Sequence, residues 1–447
     1  MFQLRRSYVA LALTAAGLSA CGDDTTVPPT ATEFEIRVEN VSAVYDFTAS
    51  GVFHTPLGDT QAGPLFPGGI YETVFSAPVG AKLSLATMFG QSNDLFLAPT
   101  GDGIPLYDMA GSQLTGDVTG QVLLWDAGTE ANQEPGLGAD QAPRQASPNI
   151  GAADANANVR QATDDFGNLP LVTDYVRVTL ASAGPTAFRL RIENVGTYMT
   201  LATSDGNSHP APLSPGVWVV HTAADPLFTA GSADRGEGLE HLAEDGDISA
   251  LSAALGMRTG LTSPIAPGVY AVHDAPSVLF TAGSFDAGLG LEDLAEDGNP
   301  AALAGALGSD ARVSEAGAFT TPNGASGPAP AFPGESYTFT VMAEPGDRLS
   351  LATMLVQSND LFFAPSETGL DLFPGGTPLS GDVSGMFILW DAGTEVNEEP
   401  GVGFNQAPRQ SGPNTGTDEG GRVRPVNDGY VYPDVPQVIK VTIQPVG

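Results

Sequence analysis

Two short acidic stretches occur twice in this chain, and their residue types suit divalent-metal chemistry. One is Ser92-Asn93-Asp94-Leu95-Phe96, repeated as Ser358-Asn359-Asp360-Leu361-Phe362. The other is Trp125-Asp126-Ala127-Gly128-Thr129-Glu130, repeated as Trp390-Asp391-Ala392-Gly393-Thr394-Glu395. In each, an apolar strand end delivers an acid to the place where the chain turns. Gly128 permits a tight bend, so two carboxylates four residues apart can address one spot. Carboxylates gathered this closely repel unless a cation lies among them. Calcium fits, because it accepts roughly six to eight oxygens in loose geometry. Zinc fits less well, since neither cysteine nor histidine stands near these loops. The plainer alternative is an acid-capped turn over a buried tryptophan, with no ion.

Other polar residues attract simpler readings. Glu134 and Glu399 follow the turns and read as solvated loop acids, or as partners of a metal-bound water. Asn93 and Asn359 could lend a carbonyl. The repeated Glu244-Asp245-Gly246-Asp247 and Glu296-Asp297-Gly298-Asn299 do not follow the helix-loop-helix calcium pattern, and read as helix ends followed by caps. His221 and His273 hold equivalent places and suit strand ends hydrogen-bonded to turns, with a shared zinc or catalytic role as the alternative; Trp218 and Tyr270 suit core packing, with sugar-stacking platforms as the alternative. No nucleophile elbow, phosphate loop or metal-spaced histidine pair occurs, so an enzyme is not expected.

The elements that must position these loops come in duplicate. Residues 63–101 match 329–369, and 116–149 match 381–414. The opening segments FEIRVENV (34–41) and FRLRIENV (188–195) also correspond. Two units are therefore expected, at 32–182 and 186–447, linked by Ala181-Ser182-Ala183-Gly184-Pro185. A smaller tandem repeat lies within the second, as an insertion at about 208–311. Ser214 recurs as Ala266, 52 positions later. Each small copy reads as a strand, a turn and short helix. Asn299 caps such a helix, with Pro300 at its first position, Leu303 and Leu307 on one face and Gly308 at its end. Elsewhere alternation such as Tyr71, Thr73 and Phe75, broken by Gly/Pro turns, predicts an all-β chain of two antiparallel sandwiches.

SNDLF, LWDAGTE and the trailing SPN or GPN resemble the spondin domain, the amino-terminal domain of F-spondin and mindin, with its SPDW and PWDAGTD signatures. The resemblance spans most of both units outside the small repeats. It implies a β-sandwich holding calcium through the SPDW aspartate and both acids of WDAGTD. Transferred by position, these are Asp94, Asp126 and Glu130, then Asp360, Asp391 and Glu395. This chain departs from the pattern in two ways: glutamate replaces the last aspartate, and the cysteines of the animal domains are missing.

Composition and the amino terminus set the surroundings. Acids outnumber Lys plus Arg by 52 to 17, a net charge of −35, which repels nucleic acid and anionic lipid. Arg5 and Arg6, an apolar stretch from Tyr8 to Gly17 and Leu18-Ser19-Ala20-Cys21 resemble a bacterial lipobox. Residues 1–20 would be a lipoprotein signal peptide, Cys21 the lipidated residue, and 21–31 a tether. Cys21 is the sole cysteine, so no disulfide can form. Gly22 at the following position points to the outer membrane or cell surface. The expected protein is an exported calcium-binding module for an extracellular or envelope protein or polysaccharide, with membrane contact through its lipid alone. A passive envelope lipoprotein or a calcium-dependent hydrolase are the alternatives.

Overall fold

The computed structural model describes residues 31–446. Cys21 and the expected signal peptide lie outside the described residues, as does nearly all of the tether. Strand outweighs helix by 34% to 11%, in antiparallel sheets, so the all-β expectation holds. Among the described residues no helix is long and apolar enough to cross a membrane.

The main elements run β1 (Thr32–Asn40), β2 (Phe47–Phe53), β3 (Ile70–Ser76), β4 (Lys82–Phe89), β5 (Leu95–Pro99), β6 (Val122–Asp126), β7 (Val176–Ser182), β8 (Ala187–Asn194) and β9 (Leu213–His221). Helices α1 (Leu239–Asp245) and α2 (Ser249–Met257) follow, then β10 (Ile265–His273), α3 (Leu291–Asp297) and α4 (Ala301–Leu307). The chain closes with β11 (Val313–Phe319), β12 (Ser336–Ala343), β13 (Arg348–Leu355), β14 (Leu361–Ala364), β15 (Ile388–Asp391) and β16 (Ile439–Val446).

These elements build two bodies of the same three-layer design. In body A a front sheet β3-β8-β7 faces a back sheet β2-β9-β4-β5-β6, each extended by two-residue edge strands. In body B the front sheet is β12-β1-β16 and the back sheet β11-β10-β13-β14-β15. Front strands bury alternate residues: in β1, Phe34, Ile36 and Val38 face inward while Glu35 and Arg37 face water. Strand β4, by contrast, is buried along almost its whole length, because α1 covers its second face. Leu239 and Leu242 pack there on Phe96 and Trp125 in body A, as Leu291 and Leu294 pack on Phe362 and Trp390 in body B. Asn299 caps α4 by accepting from the Ala301 N–H at 3.2 Å.

The sheets do not follow the sequential division expected above. Strand β1 pairs with β12 and β16, joining body B from the far end of the chain. Its sequence twin β8 pairs with β3 and β7 in body A. Residues 181–185 are therefore no linker but a hairpin, closed by the Ala183 N–H bonding the Ala187 carbonyl. Nor are the small repeats an insertion in one unit. Strand β9 sits between β2 and β4 of body A, while β10 sits between β11 and β13 of body B. Each sandwich needs one repeat as a central back strand and as the lid on that sheet. The chain crosses between bodies twice, at 41–46 and 258–264, and the crossings are strapped together. The Tyr45 N–H donates to Thr262 Oγ1 at 2.8 Å, and Arg258 pairs with Asp46 at 2.9 Å.

Candidate metal centre

Strand ends place the acids. Asp94 stands at the entry to β5 and Asp126 at the exit of the adjacent β6, with Leu95 opposite Asp126 in register. Neighbouring strands therefore carry the two carboxylates to one end of the back sheet. Both are essentially buried, as are Asp360 and Asp391. Gly128, at φ +72°, turns the chain so that the next N–H groups point back at Asp94. Oδ2 of Asp94 accepts from the Thr129 N–H (2.8 Å), the Thr129 hydroxyl (3.2 Å) and the Glu130 N–H (3.1 Å). Oδ1 of Asp94 has no partner, and Oδ1 of Asp360 repeats that state in body B. Burial, and then the neighbouring Asp126 or Asp391 carboxylate, push Asp94 and Asp360 each up to about 7.

Asp126 is better provided for. Its Oδ1 accepts from the Gly128 N–H at 2.8 Å, and its Oδ2 from Asn132 and Arg160, both at 2.7 Å. The Arg160 guanidinium also pairs with Asp154 at 2.5 Å. In body B Arg424 spans Asp391 (2.8 Å) and Glu419 (2.7 Å) in the same way. Burial raises Asp126 despite Asn132 and Arg160, and it raises Asp391 to about 6.

The third acid of each expected trio is held apart. Glu130 Oε2 accepts from Asn93 at 3.2 Å and Oε1 from the Gly151 N–H at 2.6 Å. A side chain on Gly151 would overlap that carboxylate, and Gly416 has the same relation to Glu395. Glu395 bonds Asn359 and Gly416 in the same pattern. In body B the three carboxylates whose oxygens lie within 4.8 Å of one another are Asp360, Asp391 and Glu419. The structure thus brings together the paired aspartates of both bodies. It places Glu419 closer to one pair than Glu395, because the Gly416 and Asn359 bonds turn Glu395 aside. Asn93 does not offer a free carbonyl: its Oδ1 accepts from the Gln133 N–H at 3.0 Å.

Sequence reasoning missed two sets of residues. Arg160 and Arg424 lie beyond the repeated motifs, on the edge strands that follow them. Glu244 and Glu296, read as simple helix ends, are buried beneath the loops. Burial pushes each up to about 8. The available signal was the identity of Leu-Ala-Glu-Asp-Gly in both small repeats. The loops are tied to these helices: Gln145 donates to Asp245 at 2.5 Å and Asn149 to Glu240 at 2.8 Å, matched by Gln410 to Asp297 and Asn414 to Glu292, both at 2.7 Å. Asn149 and Asn414 adopt positive φ, which asparagine tolerates.

Beside the helix end that carries each glutamate lies an apolar hollow. In body A it measures about 340 Å³ and is framed by Phe66, Met88, Pro143 and Pro215. In body B it measures about 590 Å³, with Phe332, Met354, Pro408 and Pro267 in the same places. His221 and His273 are buried, each between a serine hydroxyl (Ser84 or Ser350) and a turn carbonyl (Ala223 or Ala275). Trp218 stacks on Phe75 inside body A, and Tyr270 on Phe339 in body B. No protein-family model matches this chain, and no curated protein matches it in sequence.

Proposed function

We propose that this chain is a calcium-binding adhesion module of the cell envelope, made of two spondin-like sandwiches and anchored by a lipid on Cys21. The observation that carries the reading is the bare, buried Oδ1 of Asp94 and its twin on Asp360, each beside a second carboxylate. A buried carboxylate oxygen without a donor is costly, and a hard cation offsets that cost. The donor set fits calcium, because every candidate atom is oxygen. Asp94 and Asp126 would hold the ion in body A, and Asp360, Asp391 and Glu419 in body B, with Glu130 and Glu395 bonded to Asn93, Gly151, Asn359 and Gly416 beside them. A bound cation would neutralise the acids and stiffen the loops beside the two apolar hollows, where an external protein or polysaccharide would dock. Affinity of about 10⁻⁴ to 10⁻³ M suffices outside a cell.

One observation favours a second reading. Arg160 and Arg424 already compensate Asp126 and Asp391, so the loops could be ion-free caps of a passive envelope spacer. Calcium titration of the metal-free protein decides between them. The first reading expects heat of binding and a raised melting temperature, since a ligand selective for the folded state must stabilise it. Neither effect at ~5 mM calcium would leave the spacer.

A further inference from the structure

The first helix of each repeat carries, one residue before its end, a glutamate whose surroundings call for a partner. Glu244 and Glu296 are each 2% exposed. Neither oxygen of Glu244 has a hydrogen-bond partner, nor does Oε2 of Glu296. Among the described residues no Lys, Arg or His forms an ion pair with either; Arg160 and Arg424 are engaged with other carboxylates. Glu244 lies beside the Thr129 hydroxyl, in the field of Glu130, Glu240 and Asp94, and Glu296 beside Thr394, in the field of Glu395, Glu292 and Asp360; each hydroxyl has one proton and gives it to Asp94 or Asp360, leaving none for the glutamate.

The same threonine gives its N–H and hydroxyl to Oδ2 of the aspartate, at 2.8 and 3.2 Å in body A and 2.8 and 3.3 Å in body B. Two buried carboxylates from separate elements therefore meet across one threonine, and each keeps bare oxygens. Packing alone disfavours such an arrangement, while a divalent ion with all-oxygen ligation resolves it. The bonds from Gln145 and Asn149 to Asp245 and Glu240 already hold the helix end against the loop.

We infer that Glu244 and Glu296 are calcium ligands, and that one ion in each body ties the acidic loops to the helical repeat. The inference rests on the calcium reading above and assigns the small repeats a role in it. Glutamine at both positions keeps the shape and removes the charge. The full chain and its Glu244→Gln/Glu296→Gln variant are titrated with calcium by calorimetry. Hydrogen exchange is followed in residues 239–245 and 291–297 with and without the ion.

The expected result is two ions bound by the wild type with slowed exchange in both helices. The double variant should bind at least tenfold more weakly, with no slowing there. Unchanged affinity in the variant, or slowing confined to the loops, overturns the inference and leaves the calcium reading standing. A wild type that binds no calcium ends both. Should the variant fail to fold, wild-type exchange decides alone: slowed helices support the bridge and unaffected helices overturn it.

Discussion

Bodies A and B carry one constellation, and three substitutions and one difference in connection set them apart. Body B has Glu398 where body A has Gln133, and Asn405 where body A has Asp140. That exchange leaves the charge unchanged but in body B moves it nearer the centre: Glu398 accepts from Asn359 at 3.2 Å, whereas Asp140 accepts from Gln133 at 2.6 Å. Body B also has Glu419 where body A has Asp154, and the longer arm places an oxygen within 4.8 Å of the Asp360 and Asp391 oxygens. The connection differs more. Body A draws its central front strand β8 from the adjoining hairpin, while body B draws β1 from the opposite end of the chain. Nearly identical sites can thus rest on frameworks that depend on the termini to different degrees.

Removing residues 32–41 tests that asymmetry and should have the largest effect. It takes away Phe34, Ile36 and Val38, each contributing roughly 1.5–3 kcal/mol by burial, along with two ladders of hydrogen bonds. Body B should lose its cooperative unfolding transition in calorimetry while body A keeps its own. Equal damage to both would show that the bodies are not separate cooperative units.

Breaking the charge pair in one body comes next. Arg424→Gln leaves Asp391 buried and unpaired, and should destabilise metal-free body B by about 2 kcal/mol, discounted because the arginine is partly exposed. Calcium affinity there should rise several-fold as the competing cation leaves. Denaturant melts and titration check the two parts, and an unchanged affinity would separate the arginine from the metal reading.

pH acts on both bodies alike. Glu244 and Glu296 are raised to about 8, and Asp94 and Asp360 to about 7, all well above their ordinary values. The folded state then holds protons that the unfolded state has released, so metal-free stability falls as pH rises from about 4.5 to about 8 and is level beyond. Burial lowers His221 and His273, which adds an opposite trend only below the free histidine value of about 6.5. From pH 6.5 to 8 the loss should be on the order of 2 kcal/mol per body, and saturating calcium should abolish it. A flat metal-free profile in denaturant melts would contradict the burial of these acids.

The smallest effect sharpens the contrast between the centres. With Asp94→Asn or Asp360→Asn leaving one centre at a time, body B should bind calcium about fivefold tighter than body A, the scale of moving one charge a few ångströms closer in a screened site. Exchanging the pair in body A, by Gln133→Glu with Asp140→Asn, should close most of that gap in the same titration.

Much of this was legible in the sequence because it was local. Alternation at Tyr71 and Phe75, the Asp-Ala-Gly-Thr-Glu turn and the Asn299 cap each depend on neighbouring residues. Partner choice was not legible. FEIRVENV and FRLRIENV present almost the same inward face, so either could complete either sandwich; chain connection and the strapped crossings decide. Glu244 was hidden for a related reason. It follows directly on the buried stripe of Leu239, Leu242 and Ala243, and only the tertiary position of the Thr129 turn distinguishes it from an exposed helix end.

The inserted strand also determines how the molecule bears load. Glu33 lies opposite Val446, while Asn40 at the other end of β1 leads directly into the crossing toward body A. Tension between residue 31 and a ligand gripped by body A would run lengthwise along β1. Because both ends of β1 would be pulled, the covalent backbone of residues 32–46 would carry the tension and the bonds to β12 and β16 would be spared, so body B would ride beside the load path rather than within it.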